Sequence, residues 1–206
     1  MSRYTGPRVK RMRALGIDLP GLSRKSMWNR PYPPGVHGPK SARRRKMSDF
    51  KKQLLEKQKL RFNYGLNEGQ FRRLYREAVH SKDPSGDKLV ELLERRLDNF
   101  VFRSGFAPTI PAARQLVCHG HFLVNGKRLD IPSYRMREGD VVGLRERSQN
   151  LASVAASLED VRIARPEWVE FDESKTTSTV KGIPKVDSVP FALEIDLVIE
   201  YYSKRL

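Results

Sequence analysis

Cys118, His119 and His121 fall within four residues, inside the stretch RQLVCHGHFLVNGKRLD at residues 114–130 that also holds Arg114, Lys127 and Arg128. A thiol and two imidazoles so close together offer three chemistries: a metal site, an activated nucleophile, or a surface that grips a polyanion. Zinc wants three or four Cys/His ligands, with about two to five residues between partners. Here Cys118 and His119 are neighbours, and only His37 and His80 remain as further candidates. Neighbouring side chains on a helix point about 100° apart, so no base is aimed at the thiol. Cys118 is expected to pack as a small apolar residue, with no metal and no cofactor. A polyanion-binding surface uses the same residues without strain. Thr109 can cap a helix whose first turn, Ile110 to Ala113, offers N–H groups. Arg114 and Gln115 follow on that helix, and then a hairpin carries His119, His121, Lys127 and Arg128.

Nothing else in the chain carries a reaction. The tetrapeptide KMSD at Lys46 to Asp49 resembles the lysine-containing ATP loop of one class of aminoacyl-tRNA synthetases, but its companion histidine motif is missing. There is no Gly-rich phosphate loop, Walker-type lysine motif or paired-carboxylate constellation, and an enzyme is not expected. Composition points to a polyanionic partner. Forty Lys and Arg against 24 Asp and Glu give a net charge of +16 over 206 residues. The excess is N-terminal: residues 1–76 hold 21 basic and four acidic side chains, while residues 77–206 hold 19 and 20. Residues 94–147 are mildly basic, with ten against six, and residues 148–206 are acidic, with seven against ten. One cysteine cannot form an internal disulfide, and no apolar run approaches the roughly 18–20 residues that span a bilayer. A soluble intracellular protein is expected, with no membrane partner and no homo-oligomer.

The elements that must position these groups read as follows. Residues 1–47 are basic and punctuated by Gly and Pro, with Gly6, Pro7, Gly16 and Pro20 interrupting any amphipathic helix. By itself this arm is expected to be extended and mobile, and to become ordered against something negative. Tyr4, Trp28 and Tyr32 lie among its arginines and offer flat faces for bases or sugars. A helix follows from Ser48 or Asp49, with Leu54, Leu55 and Phe62 as its apolar stripe, Lys51, Lys52, Lys57, Lys59 and Arg61 on its outer face, and Gly65 closing it. A second helix turns Phe71, Leu74, Tyr75 and Val79 inward and ends near His80, a surface or capping histidine. A third runs through DKLVELLERRLDNFVFRSG, with Leu89, Leu92, Leu93, Leu97, Phe100 and Val101 at helical spacing and Gly105 as a left-handed cap. Asn125-Gly126 is the strongest short-range hairpin signal. Glu138-Gly139-Asp140 marks another turn before a strand. NLASVAASLEDVRIA looks helical, and EWVEFDES and TSTVKGIP look like short strands. The ending PFALEIDLVIEYYSKRL alternates at period two yet has the length of a helix, and periodicity leaves that choice open.

The stretch Glu94 to Val142, ERRLDNFVFRSGFAPTIPAARQLVCHGHFLVNGKRLDIPSYRMREGDVV, resembles the RNA-binding module named after bacterial small-subunit ribosomal protein S-four. RYTGPRVK at the start, PPGVHG at Pro33 to Gly38, SDFKKQLLEKQKLRFNYGLNEGQFRRLYREA and the YSK ending at Tyr202 to Lys204 are similar to the rest of that family. The resemblance implies an α+β fold: a helical domain with a basic N-terminal extension, plus an inserted module with a helix pair against a small antiparallel sheet. It divides the chain into an arm at 1–47, a helical domain at 48–93 completed by 188–206, the module at 94–160, and short strands and loop at 161–187. It implies a primary binder of small-subunit ribosomal RNA, seated at a multi-helix junction of the 5′ domain, that nucleates assembly of the subunit body in the cytoplasm. Ribosomal proteins S-five and S-twelve would share its influence on translational accuracy.

The RNA-contacting positions carried over are Arg3, Tyr4, Arg8, Lys10 and Arg11 in the opening, then Lys40, Arg43, Arg44, Arg45 and Lys46, a run near the messenger RNA entry path. To these are added Lys51, Lys57, Lys59, Arg61, Arg72 and Arg73 on the first two helices, and Arg114, Gln115, His119, His121, Lys127 and Arg128 in the module. Many members carry four N-terminal cysteines that bind zinc. This chain has none there and looks like the zinc-free branch. Ile110 stands where the family often has a basic residue. Two other classes share the module: RNA-modifying or aminoacylating enzymes, for which the roughly 60 residues after Arg147 are too few, and stand-alone RNA chaperones or tRNA quality-control factors, which lack the flanking motifs.

Overall fold

The computed structural model describes residues 4–39 and 47–205. In chain order the described helices are α1 (Arg8–Leu15), α2 (Asp49–Asn63), α3 (Glu68–Val79), α4 (Ser85–Glu94), α5 (Leu97–Arg103), α6 (Ile110–Cys118), α7 (Ala152–Glu159) and α8 (Ile195–Ser203). The strands are β1 (Phe122–Val124), β2 (Lys127–Arg128), β3 (Val141–Leu144), β4 (Val169–Asp172) and β5 (Thr177–Val180). The fold class is α+β. The chain divides into two compact units, one of Met1–Leu89 with Val189–Leu206 and one of Val90–Ser188.

In the first unit the N-terminal segment is not an extended arm. Pro7 and Gly16 bracket a helix rather than forbid one: Pro7 sits at the N-cap, and Gly16, at φ 72°, closes the C-terminus by donating to Met12 O at 2.8 Å. Met12, Leu19, Leu22 and Met27 are buried together against Phe62 and Phe191. Gly21 N donates to the buried Asn63 Oδ1 at 2.9 Å, tying this lobe to the end of α2. These apolar residues are irregularly spaced, so no period in the sequence revealed that they converge.

Helix α2 starts as expected, with Ser48 Oγ accepting from Lys51 N at 3.4 Å. Its buried face is another matter. Gln53, Glu56, Lys57, Leu60 and Asn63 face inward, and Leu54, Leu55 and Phe62 are only half-buried. The reason is the neighbour: α8 lies along α2, and Glu194 N donates to Glu56 Oε2 at 3.2 Å. Helix α3 opens on a reciprocal capping box between Asn67 and Gln70 and buries Phe71, Tyr75 and Ala78. Val79, expected inward, is 46% exposed. The ambiguous ending is helical, because Tyr202 stacks on Phe71 at 5.8 Å and meets Tyr75 at 4.8 Å. Val198 and Tyr202, one helical turn apart, form the buried face of α8.

In the second unit the single long helix expected across residues 87–105 is two. Arg96 takes an extended conformation, with ψ 138°. The segment before β3 supplies the backbone partners that a continuous helix would have used: Leu97 N donates to Tyr134 O at 2.9 Å, Asp98 N to Pro132 O at 3.1 Å, and Met136 N to Arg95 O at 2.7 Å. Asn99 Nδ2 bridges the break to Glu94 O at 2.9 Å. The buried Glu94 carboxylate also accepts from Arg103 Nε at 2.9 Å, so the charge inside this corner is paired. Helix α5 ends at Gly105, φ 94°, as expected. The sheet is antiparallel throughout, in the order β2-β1-β3-β5-β4. It runs past residue 160, because β4 and β5 add to the strands of the hairpin. Phe106 packs against both β1 and β4, edge-on to Phe122 at 5.5 Å and to Phe171 at 5.6 Å.

Candidate nucleic-acid interface

In the second unit the site is built where α6 hands over to β1. Thr109 Oγ1 caps α6 by accepting from Ala112 N at 3.4 Å, and Thr109 O accepts from Ala113 N at 2.9 Å. Pro111 has no N–H. The first turn therefore uses its own donors, contrary to the expectation that Ile110 to Ala113 would present a free set, and Ile110 is 1% exposed. The exposed polar groups gather at the other end of the helix. Gln115 and His119 are four residues apart on one exposed face, joined by His119 N donating to Gln115 O at 3.0 Å. Gly120, at φ 73°, turns the chain so that the His119 and His121 rings lie 6.0 Å apart.

The Arg128 guanidinium covers Gly120 so closely that a Cβ there would collide with it. The tight turn at Asn125-Gly126, with φ of 50° and 76°, returns exposed Lys127 and Arg128 to the same corner. His121 Nδ1 is 2.9 Å from Ser148 Oγ, which orients the ring. Arg114 is half-buried, its Nη1 3.9 Å from Asp98 Oδ2. Cys118 is exposed, not packed: α6 turns Ile110, Ala113 and Val117 inward, and the next residue falls outside that face.

In the first unit Arg8, Lys10 and Lys51 are exposed, and so are Arg72 and Arg73 on the outer face of α3. Three expected positions on α2 are not on its outer face. Lys57 is 3% exposed and paired with Glu68 at 2.8 Å. Arg61 reaches the same carboxylate at 2.9 Å, and Lys59 pairs with Glu56. Arg11 lies over the Tyr4 ring at 3.2 Å and over Phe62 at 4.1 Å, and burial lowers its pKa. Arg3, Lys40, Arg43, Arg44, Arg45 and Lys46 lie outside the described residues.

The sequence reading passed over Arg76 and Arg145. Arg76 is exposed one helical turn beyond Arg72, which the helical period alone would have shown. Arg145 stands across from His121, with Arg145 N donating to His121 O at 2.9 Å, a neighbour that only the β1–β3 register reveals.

Among the described residues no group of three or more His, Cys, Asp and Glu side chains is arranged to hold a metal, and no helix is long and apolar enough to cross a membrane. Residues 3–94 match the ribosomal protein S4/S9 N-terminal domain, and residues 95–142 match the S4 domain. The chain is 54% identical over its full length to the whole of small ribosomal subunit protein uS4B of Nitrosomonas europaea. It is 55% identical, again over both full lengths, to uS4 of Methylobacillus flagellatus, and 50% identical to uS4 of Lacticaseibacillus casei.

The chain belongs to the uS4 family of small-subunit ribosomal proteins. As a uS4 protein it is a structural, RNA-binding component of the translation machinery and not an enzyme, and its place is the small ribosomal subunit in the cytoplasm. The α6–β1 corner lies within the S4 domain, and α1 to α3 lie within the family's N-terminal domain. The interior of the N-terminal lobe is thioether and aliphatic, built from Met12, Leu19, Leu22 and Met27. That donor set does not fit zinc, and the lobe is held by this packing together with hydrogen bonds such as Gly21 N to Asn63 Oδ1.

Proposed function

We propose that this uS4 protein is a primary binder of small-subunit ribosomal RNA, seated at a multi-helix junction of the 5′ domain, where it nucleates assembly of the subunit body. The observation that carries the reading is the charge of the N-terminal domain: 21 basic against four acidic side chains over residues 1–76. Charge of that density is cancelled by phosphates at a large gain from counterion release. The α6–β1 corner, with Gln115, His119, His121, Lys127 and Arg128, then fixes register through shaped polar contacts.

Arg8, Lys10, Lys51, Arg72 and Arg73 are the RNA-binding residues of the first unit, and Arg76 joins them. Lys57, Lys59 and Arg61 act one step back, holding the helices that carry the others. Ribosomal protein S-five is the protein neighbour, and through it and S-twelve the chain influences translational accuracy. The acidic residues Glu159, Asp160, Glu170, Asp172 and Glu173 of the C-terminal zone are unsuited to RNA and suit a basic protein partner. The run Lys40 to Lys46 lies near the messenger RNA entry path.

Footprinting on purified small-subunit ribosomal RNA tests this, comparing the full chain with R72A/R73A/R76A and with H119A/R128A. The expected result is a protected junction in the 5′ domain, with the first variant weakening all protections evenly and the second loosening those of one helix. Protection elsewhere, or none, overturns the reading. Deleting residues 1–47 is the wrong control, because it would strip Met12, Leu19, Leu22 and Met27 from Phe62.

A further inference from the structure

Beside α1 the N-terminal lobe carries an open groove of about 760 Å³, within the roughly 300–1,000 Å³ of clefts that hold small organic groups. Lys10, Arg13, Lys25 and Arg30 line it, with Met27 and Pro34 as apolar walls. Three aromatic rings lie nearby in sequence, and two are already covered. Arg11 lies over Tyr4, and Arg13 over Tyr32 at 4.7 Å, its Nε donating to Tyr32 O at 3.0 Å. Trp28 is different: it is 69% exposed, and among the described residues no ring or cation stacks on it.

Trp28 is also held in place. The Asp18 carboxylate accepts from Ser26 Oγ at 2.5 Å and from Met27 N at 2.8 Å, Ser26 Oγ accepts from Trp28 N at 3.2 Å, and Arg30 N donates to Met27 O at 2.9 Å. A short loop pinned by Asp18 thus presents an indole to solvent, and its chain neighbours Met27 and Asn29 line the cationic groove.

We propose that this groove is a binding site for one unstacked nucleotide of folded RNA, its phosphate on Lys10, Lys25 and Arg30 and its base stacked on Trp28. A base inside a duplex has no free face to offer, so such a site prefers bulged or junction nucleotides to paired ones. Arg13, committed to Tyr32, shapes the groove rather than gripping the ligand. The inference rests on the RNA-binding reading above and adds to it what kind of nucleotide the N-terminal lobe takes.

The chain has two tryptophans, Trp28 and the buried Trp168, so W168F leaves Trp28 as the sole indole reporter. The full-length W168F chain is titrated with purified small-subunit ribosomal RNA and, separately, with a fully paired RNA duplex. The ribosomal RNA is expected to quench Trp28 emission and the duplex to leave it unchanged. In the chain with Trp168 intact, W28A is expected to weaken binding of the ribosomal RNA about 5- to 150-fold, as for removal of one base–aromatic stack, with the salt slope unchanged. K25A/R30A is expected to lower that slope by about 2, one for each cation that no longer neutralises a phosphate. Tight binding with Trp28 emission and W28A affinity unmoved overturns this site while the RNA-binding reading stands. Equal quenching by the duplex overturns the preference for an unstacked nucleotide. Failure to bind ribosomal RNA at all overturns both.

Discussion

Lys57 Nζ lies 2.8 Å from Glu68 Oε2, joining α2 to α3 through an ion pair whose lysine is buried. Arg61 and the Tyr202 hydroxyl reach the same carboxylate, at 2.9 and 2.7 Å, so one acid gathers α2, α3 and α8. Burial works to raise the Glu68 pKa, but hydrogen bonds from Lys57 and Tyr202 and the charge of Lys57 outweigh it, and the carboxyl stays below its ordinary 4.5. A depressed carboxyl stabilises the fold fully above its unfolded value and loses that contribution as pH falls through the folded one. E68Q is therefore expected to lower stability by about 1–3 kcal/mol at pH 7, a figure discounted for the partial exposure of Glu68. Urea unfolding of both proteins from pH 7 down to pH 3 should show the difference shrinking below about pH 4.5. A difference constant across that range contradicts the assignment.

Because Lys57 faces inward, K57M is expected to disturb stability more than RNA affinity. Its salt dependence of binding to ribosomal RNA should match the parent, whereas R72A should reduce the slope by about 1. Equal reductions in slope for the two would place Lys57 on the RNA after all.

Asn125 does more than make a turn. Its side chain donates to Asp140 Oδ1 at 2.8 Å and accepts from Val141 N at 2.9 Å, locking the hairpin to the start of β3. N125A removes both bonds and asks alanine to hold φ 50°. A loss of about 2–3 kcal/mol is expected from two polar contacts and the left-handed backbone together. Faster amide exchange confined to β1, β2 and β3 would accompany it, and exchange unchanged there would contradict it.

Met12 is fully buried in the N-terminal lobe. M12A is expected to cost about 2–5 kcal/mol, as for other buried Met truncations, and to raise protease sensitivity within residues 8–39 of the RNA-free protein. An extended arm would show neither effect.

Legibility followed the locality of each signal. The Ser48 cap, the Gly105 stop, the Asn125-Gly126 turn and the α6-to-hairpin sequence rest on residues a few positions apart, and all were readable. The break at Arg96 was not, because its cause is the backbone of Pro132 and Tyr134, far along the chain. The inward face of α2 was misread for a similar reason: Glu56 and Lys57 are polar, and only the approach of α8 and Glu68 makes burying them tolerable. The α6–β1 corner was visible in the types and spacing of His119, His121 and Arg128, while Arg145 awaited a strand register. The N-terminal lobe was hidden by its own composition, since Gly, Pro and Arg mask four apolar residues that meet only in three dimensions.

The most direct test of the central claim is the salt dependence of binding to purified small-subunit ribosomal RNA by the full chain. If about ten phosphates are neutralised, log K should fall against log salt with a slope between roughly −7 and −9, and an unrelated duplex should bind far more weakly at the same ionic strength. A slope near zero, or equal affinity for the duplex, would contradict the account.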